Sequence, residues 1–324
     1  MKTQSKILAS TLLATLLLFN ACKKENTVTP GPPAPGFGTI SVASLLSSLA
    51  PPMQSYSVDA VNGGFFTTSQ GTKVIIPPNA FQTQSGQSLN GSLRIQFKDL
   101  YKKSDMLFSD MPTTMNTGAP LKSAGEFFIR VFSGAQVVIP APGKKITITQ
   151  PANGPVDHNM TAFANQLDTT GLQPVWVSAP LDSVTFTPTD YVFNMYGSYS
   201  STPDSGSWCN SDNSGYFGAY PQTSLILTST DNYPTYQTTV FLIFKNLNSM
   251  VHVYCDNYTN MGLSSFTYMY APSGLQCTVV AVGSSNGQIF SSFTPITIGN
   301  NQTVNFKMSP TTSAAFKAAV KALD

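Results

Sequence analysis

In Ser92-Leu93-Arg94-Ile95-Gln96-Phe97 the apolar residues Leu93, Ile95 and Phe97 alternate with Ser92, Arg94 and Gln96. A strand turns successive side chains to opposite faces, so this period of two describes a strand with one face in a core. The pattern extends outward. Val74 and Ile76 alternate before the turn residues Pro77-Pro78-Asn79, and Phe127, Ile129 and Val131 face one way while Phe128 and Arg130 face the other. Ile146 and Ile148 close the series, and Gly134, between Val131-Phe132 and Val137-Val138, marks a hairpin. These strands predict a first domain over 57–153.

A second block runs from Pro174-Val175-Trp176-Val177 to Phe306-Lys307-Met308, with strands expected at 225–228, 239–244, 251–255, 278–282 and 288–293. Asn286-Gly287 is the strongest turn signal, because both positions tolerate positive φ and strands flank them. Over 311–323 the period changes: Phe316, Ala319, Val320 and Leu323 line one side of a helix, opposite Lys317 and Lys321. The expectation is an all-β chain of two consecutive antiparallel β-sandwich domains, 57–153 and 154–324, with a short C-terminal helix. The 21 Phe and 13 Tyr, beside only 10% charged residues, suit strands.

The N-terminus reads as a targeting device. Lys2 and Lys6 precede a mostly apolar run of 13 residues, Ile7 to Phe19, followed at once by Asn20-Ala21-Cys22. The run is too short to span a bilayer and fits a signal peptide over 1–21. It resembles a bacterial lipoprotein signal, which implies that Cys22 is lipidated, with palmitate among the acyl chains, and becomes the first residue of the mature protein. Phe19 and Asn20 depart from the usual Leu-Ala/Ser and suit the relaxed lipobox of Bacteroidetes. Residues 22–56, rich in Pro, Gly, Ser and Thr, read as a tether, interrupted by a short helix at 42–49 with Leu45, Leu46 and Leu49 on one side.

Charge narrows the partners. The chain has 17 Lys and Arg against 15 Asp and Glu, and loss of the leader with Lys2 and Lys6 leaves the two signs equal. No basic stripe supports nucleic-acid binding, and the membrane is expected as a partner through acyl chains rather than a polybasic patch.

The stretch Gly71-Thr72-Lys73-Val74-Ile75-Ile76-Pro77-Pro78-Asn79-Ala80-Phe81, then Gly86, Gly91-Ser92-Leu93 and Phe127 after Ser123-Ala124-Gly125, resembles the β-sandwich domain of zonula-occludens proteins, ankyrins and netrin receptors. It is closer still to a group of uncharacterised Bacteroidetes surface lipoproteins, which are also similar at Phe241-Leu242-Ile243-Phe244-Lys245 and at Leu323-Asp324. Those lipoproteins carry a Gly-Trp-aliphatic-Asn-Cys-Asp-Arg run; here Gly206-Ser207-Trp208-Cys209-Asn210-Ser211-Asp212 holds the ingredients in another order, without the Arg. The resemblance implies a surface-exposed outer-membrane lipoprotein and is nearly silent on activity.

Chemistry is sparse. Gly283-Ser284-Ser285-Asn286-Gly287 matches a nucleophile-elbow string, but an elbow needs a helix after the turn and Gln288 onward continues as strand. The histidines are His158 and His252, and no Cys/His pair has zinc spacing. The Asp204, Asp212, Asn213 group and the Asp256, Asn257, Asn260 group lack the spacing of a calcium loop, so no metal, cofactor or catalytic residue is assigned. Cys255 ends one expected strand and Cys277 begins another, so these two are expected to bridge, with Cys209 as the alternative partner of either. The aromatic, polar segment 196–220 reads as a long loop. It is either a plug in the end of the sandwich or a ligand site in which Trp208 stacks and Asp212 and Asn213 hydrogen-bond. The function expected is non-catalytic binding or scaffolding at the envelope, with a glycan or an envelope protein as partner; a carbohydrate-binding protein is the alternative, and a hydrolase the lesser one.

Overall fold

The computed structural model describes residues 41–167, 174–196, 207–230, 238–255 and 265–324. The leader 1–21, Cys22 and most of the tether lie outside the described residues, as do Asp204 and the Asp256, Asn257, Asn260 group. The chain is mostly β, with a short C-terminal helix.

The expected alternation in Ser92–Leu100 places Leu93, Ile95 and Phe97 in a core, where Phe97 stacks on Phe127 and Phe127 meets Phe193 edge-on. Two sheets enclose this core. In the larger, the order is Gln54–Asp59, Ser92–Leu100, Lys122–Ser133, Ser207–Asn213, Thr161–Leu167, Pro174–Ser178, with Gln136–Val137 folded back on Lys122–Ser133. In the smaller, it is Ser183–Phe186, Asp190–Met195, Ile146–Pro151, Lys73–Ile76, Gly64–Thr67. Gly134 makes the expected hairpin at a φ of 59°.

A second core is enclosed by Ser265–Pro272, Gln222–Ser229 and Gln302–Phe306 on one side. On the other lies a sheet in the order Met250–Val253, Thr238–Phe244, Gln276–Ser285, Gln288–Thr297, Ser309–Thr311. Asn286 and Gly287 turn the expected hairpin at φ of 50° and 77°. Ser285, the nucleophile position of the elbow string, therefore ends a strand that leads into another strand, without the helix that an elbow needs. One pairing departs from the antiparallel expectation: Gln222–Ser229 and Gln302–Phe306 run parallel.

A third core lies between the two assemblies. The backs of two sheets meet there, through Leu100, Phe163 and Trp176 from the first and Phe241, Ile243, Val280 and Val282 from the second. Three helices fill the layer: Val42–Leu49, Lys103–Phe108 and Ser313–Lys321. The first and last were expected, and each is capped by a hydroxyl, Ser41 accepting from Ser44 N and Thr312 from Ala315 N. Thr39–Asp324 is thus one compact unit.

Three expectations are corrected. The tether does not reach residue 56, because Val42, Leu45 and Leu46 are buried in the middle core and Gln54–Asp59 pairs with Ser92–Leu100. The strands do not change sheets at 153/154: those from Thr161–Leu167 to Ser207–Asn213 complete the first two sheets, and the second pair starts at Gln222. Periodicity shows that a segment is a strand without showing which strand it pairs. For the same reason Cys255 and Cys277 are not bridged. Thr238–Phe244 lies between their strands, Cys277 stands opposite Phe244 and Ile296 as a free thiol, and the backbone of Cys255 pairs with that of Phe266.

Candidate functional site

A groove of about 520 Å³ opens where the two assemblies meet. Its walls include Asn116, Gln166, His252, Tyr254 and Tyr270, with Met269 and Leu167 exposed at the lip. The connections 168–173 and 256–264, which leave from the groove at Leu167 and Cys255, lie outside the described residues. One wall depends on a glycine. Gly118 has a φ of 89°, and a Cβ there would fall 2.5 Å from the ring of Tyr270. Tyr268 Oη donates to the Gly118 carbonyl at 3.0 Å, so the ring of Tyr270 is seated over bare backbone.

His252 is held on both sides. Its Nδ1 donates to Asp110 Oδ1 at 3.0 Å, and its ring stacks on Tyr254 with centroids 4.0 Å apart. The pair resembles the base and orienter of a hydrolase, which needs a nucleophile beside the base. Cys255, which also lines the groove, packs against the second core, whereas the His252 ring lies 4.7 Å from Phe241, in the middle core. The thiol thus packs toward the second core and the imidazole toward the middle one.

The structure does not assemble Trp208, Asp212 and Asn213 into a ligand surface. Ser207–Asn213 is no loop but an interior strand between Lys122–Ser133 and Thr161–Leu167; residues 197–206 lie outside the described residues. The Trp208 ring packs on Phe128, 5.4 Å between centroids, against the middle core. Asn213 Nδ2 donates to Asp157 Oδ2 and its Oδ1 accepts from Gly215 N. Lys122 Nζ reaches the same Asp157 oxygen at 2.7 Å. Partial burial opposes the Asp157 charge, but these hydrogen bonds, one from Asn159 N and the Lys122 charge outweigh it and hold the carboxyl down at about 2. A segment of Ser, Asn and Asp looks like a loop by propensity, and its central position in the sheet overrides that.

No family model and no curated protein matches the sequence.

Asp212 belongs to a different constellation. Along Lys122–Ser133 and Ser207–Asn213 the register pairs Glu126 with Asn210 and Gly125 with Ser211, then slips at a bulge so that Ser123 faces Asp212. Gly125 permits the slip: its φ is 134°, and a Cβ would lie 2.4 Å from the Tyr101 ring. Glu126, Asn210 and Asp212 are all completely buried. Ser123 Oγ donates to Asn210 Oδ1 at 2.7 Å and accepts from Gly125 N at 3.0 Å. Burial, and the Asp212 charge, push the Glu126 carboxyl well above the usual range. Burial raises Asp212 likewise; the Ser123 hydroxyl nearby pulls the other way, although its proton is committed to Asn210. Glu126 drew no attention in the sequence because its partners lie more than eighty residues away; the one available signal was a charged residue inside a run of apolar positions.

Proposed function

We propose that this chain is a lipid-anchored, non-catalytic binding protein of the bacterial outer membrane, exposed at the surface, built of two consecutive β-sandwiches and similar to Bacteroidetes surface lipoproteins. The groove between the sandwiches is its ligand site, and the observation that carries this is its lining: the aromatic faces of Tyr254 and Tyr270 beside the side-chain amides of Asn116 and Gln166. Flat rings bordered by neutral donors and acceptors are how protein surfaces hold sugars. A glycan is therefore the ligand this reading favours, in the groove rather than at Trp208. The apolar run before Cys22 supports the anchor, and the packing of His252 and Cys255 toward different cores favours binding over hydrolysis.

Glycan-array screening of the mature protein tests the groove. Binding that is lost in Tyr270→Ala with an unchanged melting temperature supports it; an array with no hit, or a hit indifferent to Tyr270, refutes the glycan assignment. Fractionation tests the anchor separately. Cys22→Ser should leave the membrane pellet, and protease added to intact cells should digest the wild type if it faces outward.

A further inference from the structure

Among the described residues, eight buried side-chain nitrogens and oxygens lack a hydrogen-bond partner, and five of them sit together: both oxygens of Glu126, both of Asp212, and Nδ2 of Asn210. Native folds rarely leave such groups unpaired, least of all carboxylates in apolar surroundings. These surroundings are apolar, since Leu100 flanks Glu126 and Phe163 flanks Asn210 in the same sheet, both in the middle core. Of the bases on the same strand, Lys122 is paired with Asp157 and the Arg130 guanidinium lies over the Phe128 ring.

Asp99 shows what this fold does with a buried acid that needs no ligand. It is as buried as Glu126, yet Thr68 and Thr72 donate to its Oδ2 and Gln54 and Gln70 to its Oδ1. Nothing comparable surrounds Glu126 and Asp212.

We propose that Glu126, Asp212 and Asn210 bind a Ca²⁺ ion, with Ser123 orienting the Asn210 amide. The side chains offer only oxygen ligands, which selects a hard cation over zinc or copper. Calcium accepts mono- or bidentate carboxylates in irregular geometry and completes its shell with water, whereas magnesium demands a near-ideal octahedron, which two carboxylates and one amide on neighbouring strands do not form. Asn210 completes the case. Turning its amide by half a rotation lets Nδ2 donate to Ser123 Oγ and brings Oδ1 round to the side of the carboxylates. Ser123 still accepts from Gly125 N and gains a free proton for Asp212. One rotation and one ion thus satisfy all five orphaned atoms.

The purified mature protein, unfolded in urea, is refolded in parallel with EDTA and with CaCl₂. Elemental analysis of the calcium sample after exhaustive dialysis should find one calcium per chain, and the EDTA sample should melt at a lower temperature, restored by added CaCl₂ but not MgCl₂. Glu126→Gln, similar in shape and one charge poorer, should keep the β circular dichroism and lose the response to calcium. If that variant does not fold, the metal content of the wild type decides. Wild-type protein that refolds without stoichiometric calcium and melts identically in EDTA and CaCl₂ overturns the site, leaving protons to neutralise the pair; so does a calcium response that persists in Glu126→Gln, or magnesium bound in place of calcium.

Discussion

Asp324 caps a helix at Ser104, 220 residues before it: its Oδ1 accepts from Ser104 N at 2.8 Å and its Oδ2 from Ser104 Oγ at 2.7 Å. Lys102, which precedes Lys103–Phe108, supplies no side-chain cap, so a residue beyond the closing helix does it. The joint is reinforced where Phe108 meets Phe316 edge-on. Removing the carboxylate in Asp324→Ala should lower stability by about 0.5–2 kcal/mol, as loss of a cap does, read from urea unfolding. Burial and then the Asp324 charge both raise the Asp105 carboxyl, so Asp324→Asn should let Asp105 titrate lower by NMR while burial still keeps it elevated.

The two tryptophans should separate in a stability measurement. Trp176 is fully buried, and its Nε1 donates to the Pro112 carbonyl at 2.8 Å. Trp176→Ala should cost about 3–5 kcal/mol in cavity and lost burial, with the carbonyl left unpaired besides. Trp208 is only partly covered, so Trp208→Ala should cost clearly less. Equal losses in urea melts would contradict this account of the middle core.

Lys122 and Asp157 make the fold sensitive to acid in a defined direction. The Asp157 carboxyl lies at about 2 in the folded protein, below its ordinary value of 3.8. A depressed carboxyl adds stability above the unfolded value, and that stability is lost as pH falls through the folded one. Lys122→Met should therefore raise the Asp157 titration midpoint in carboxyl NMR and flatten the stability loss between pH 4 and pH 2 that the wild type shows.

Cys277 is expected to be inert. Burial pushes its thiol up to about 12, and the thiolate is the reacting form. Iodoacetamide at pH 8 should leave Cys277 unlabelled in the native protein and label it in urea, by mass spectrometry. A disulfide-linked Cys277 peptide, or rapid native labelling, would refute this.

What was legible in the sequence was local. Leu93, Ile95 and Phe97 announced a strand, Asn286-Gly287 a hairpin, and Phe316 with Val320 a helix, since each signal lies within one element and its turn. The site chemistry was not legible, because it is made by pairing. Glu126 meets Asn210 only after a strand from beyond residue 206 inserts between two earlier ones, and His252 meets Asp110 across 142 residues. Cys255 and Cys277 show the converse, two strand-end residues near in sequence and kept apart by an intervening strand.

The middle core draws on both ends of the folded body, Val42–Leu49 and Ser313–Lys321. During synthesis the first two sheets can close once residue 213 has emerged, but the back of the larger one, carrying Leu100, Phe163 and Trp176, has only the short helices Val42–Leu49 and Lys103–Phe108 to cover it until the last hundred residues follow. For that interval the nascent protein presents a broad apolar face to its surroundings, the kind of surface that invites aggregation and chaperone capture. A nonsense mutation anywhere past the first sheets makes that transient exposure permanent, so shortened chains should be cleared or should precipitate rather than persist as working halves.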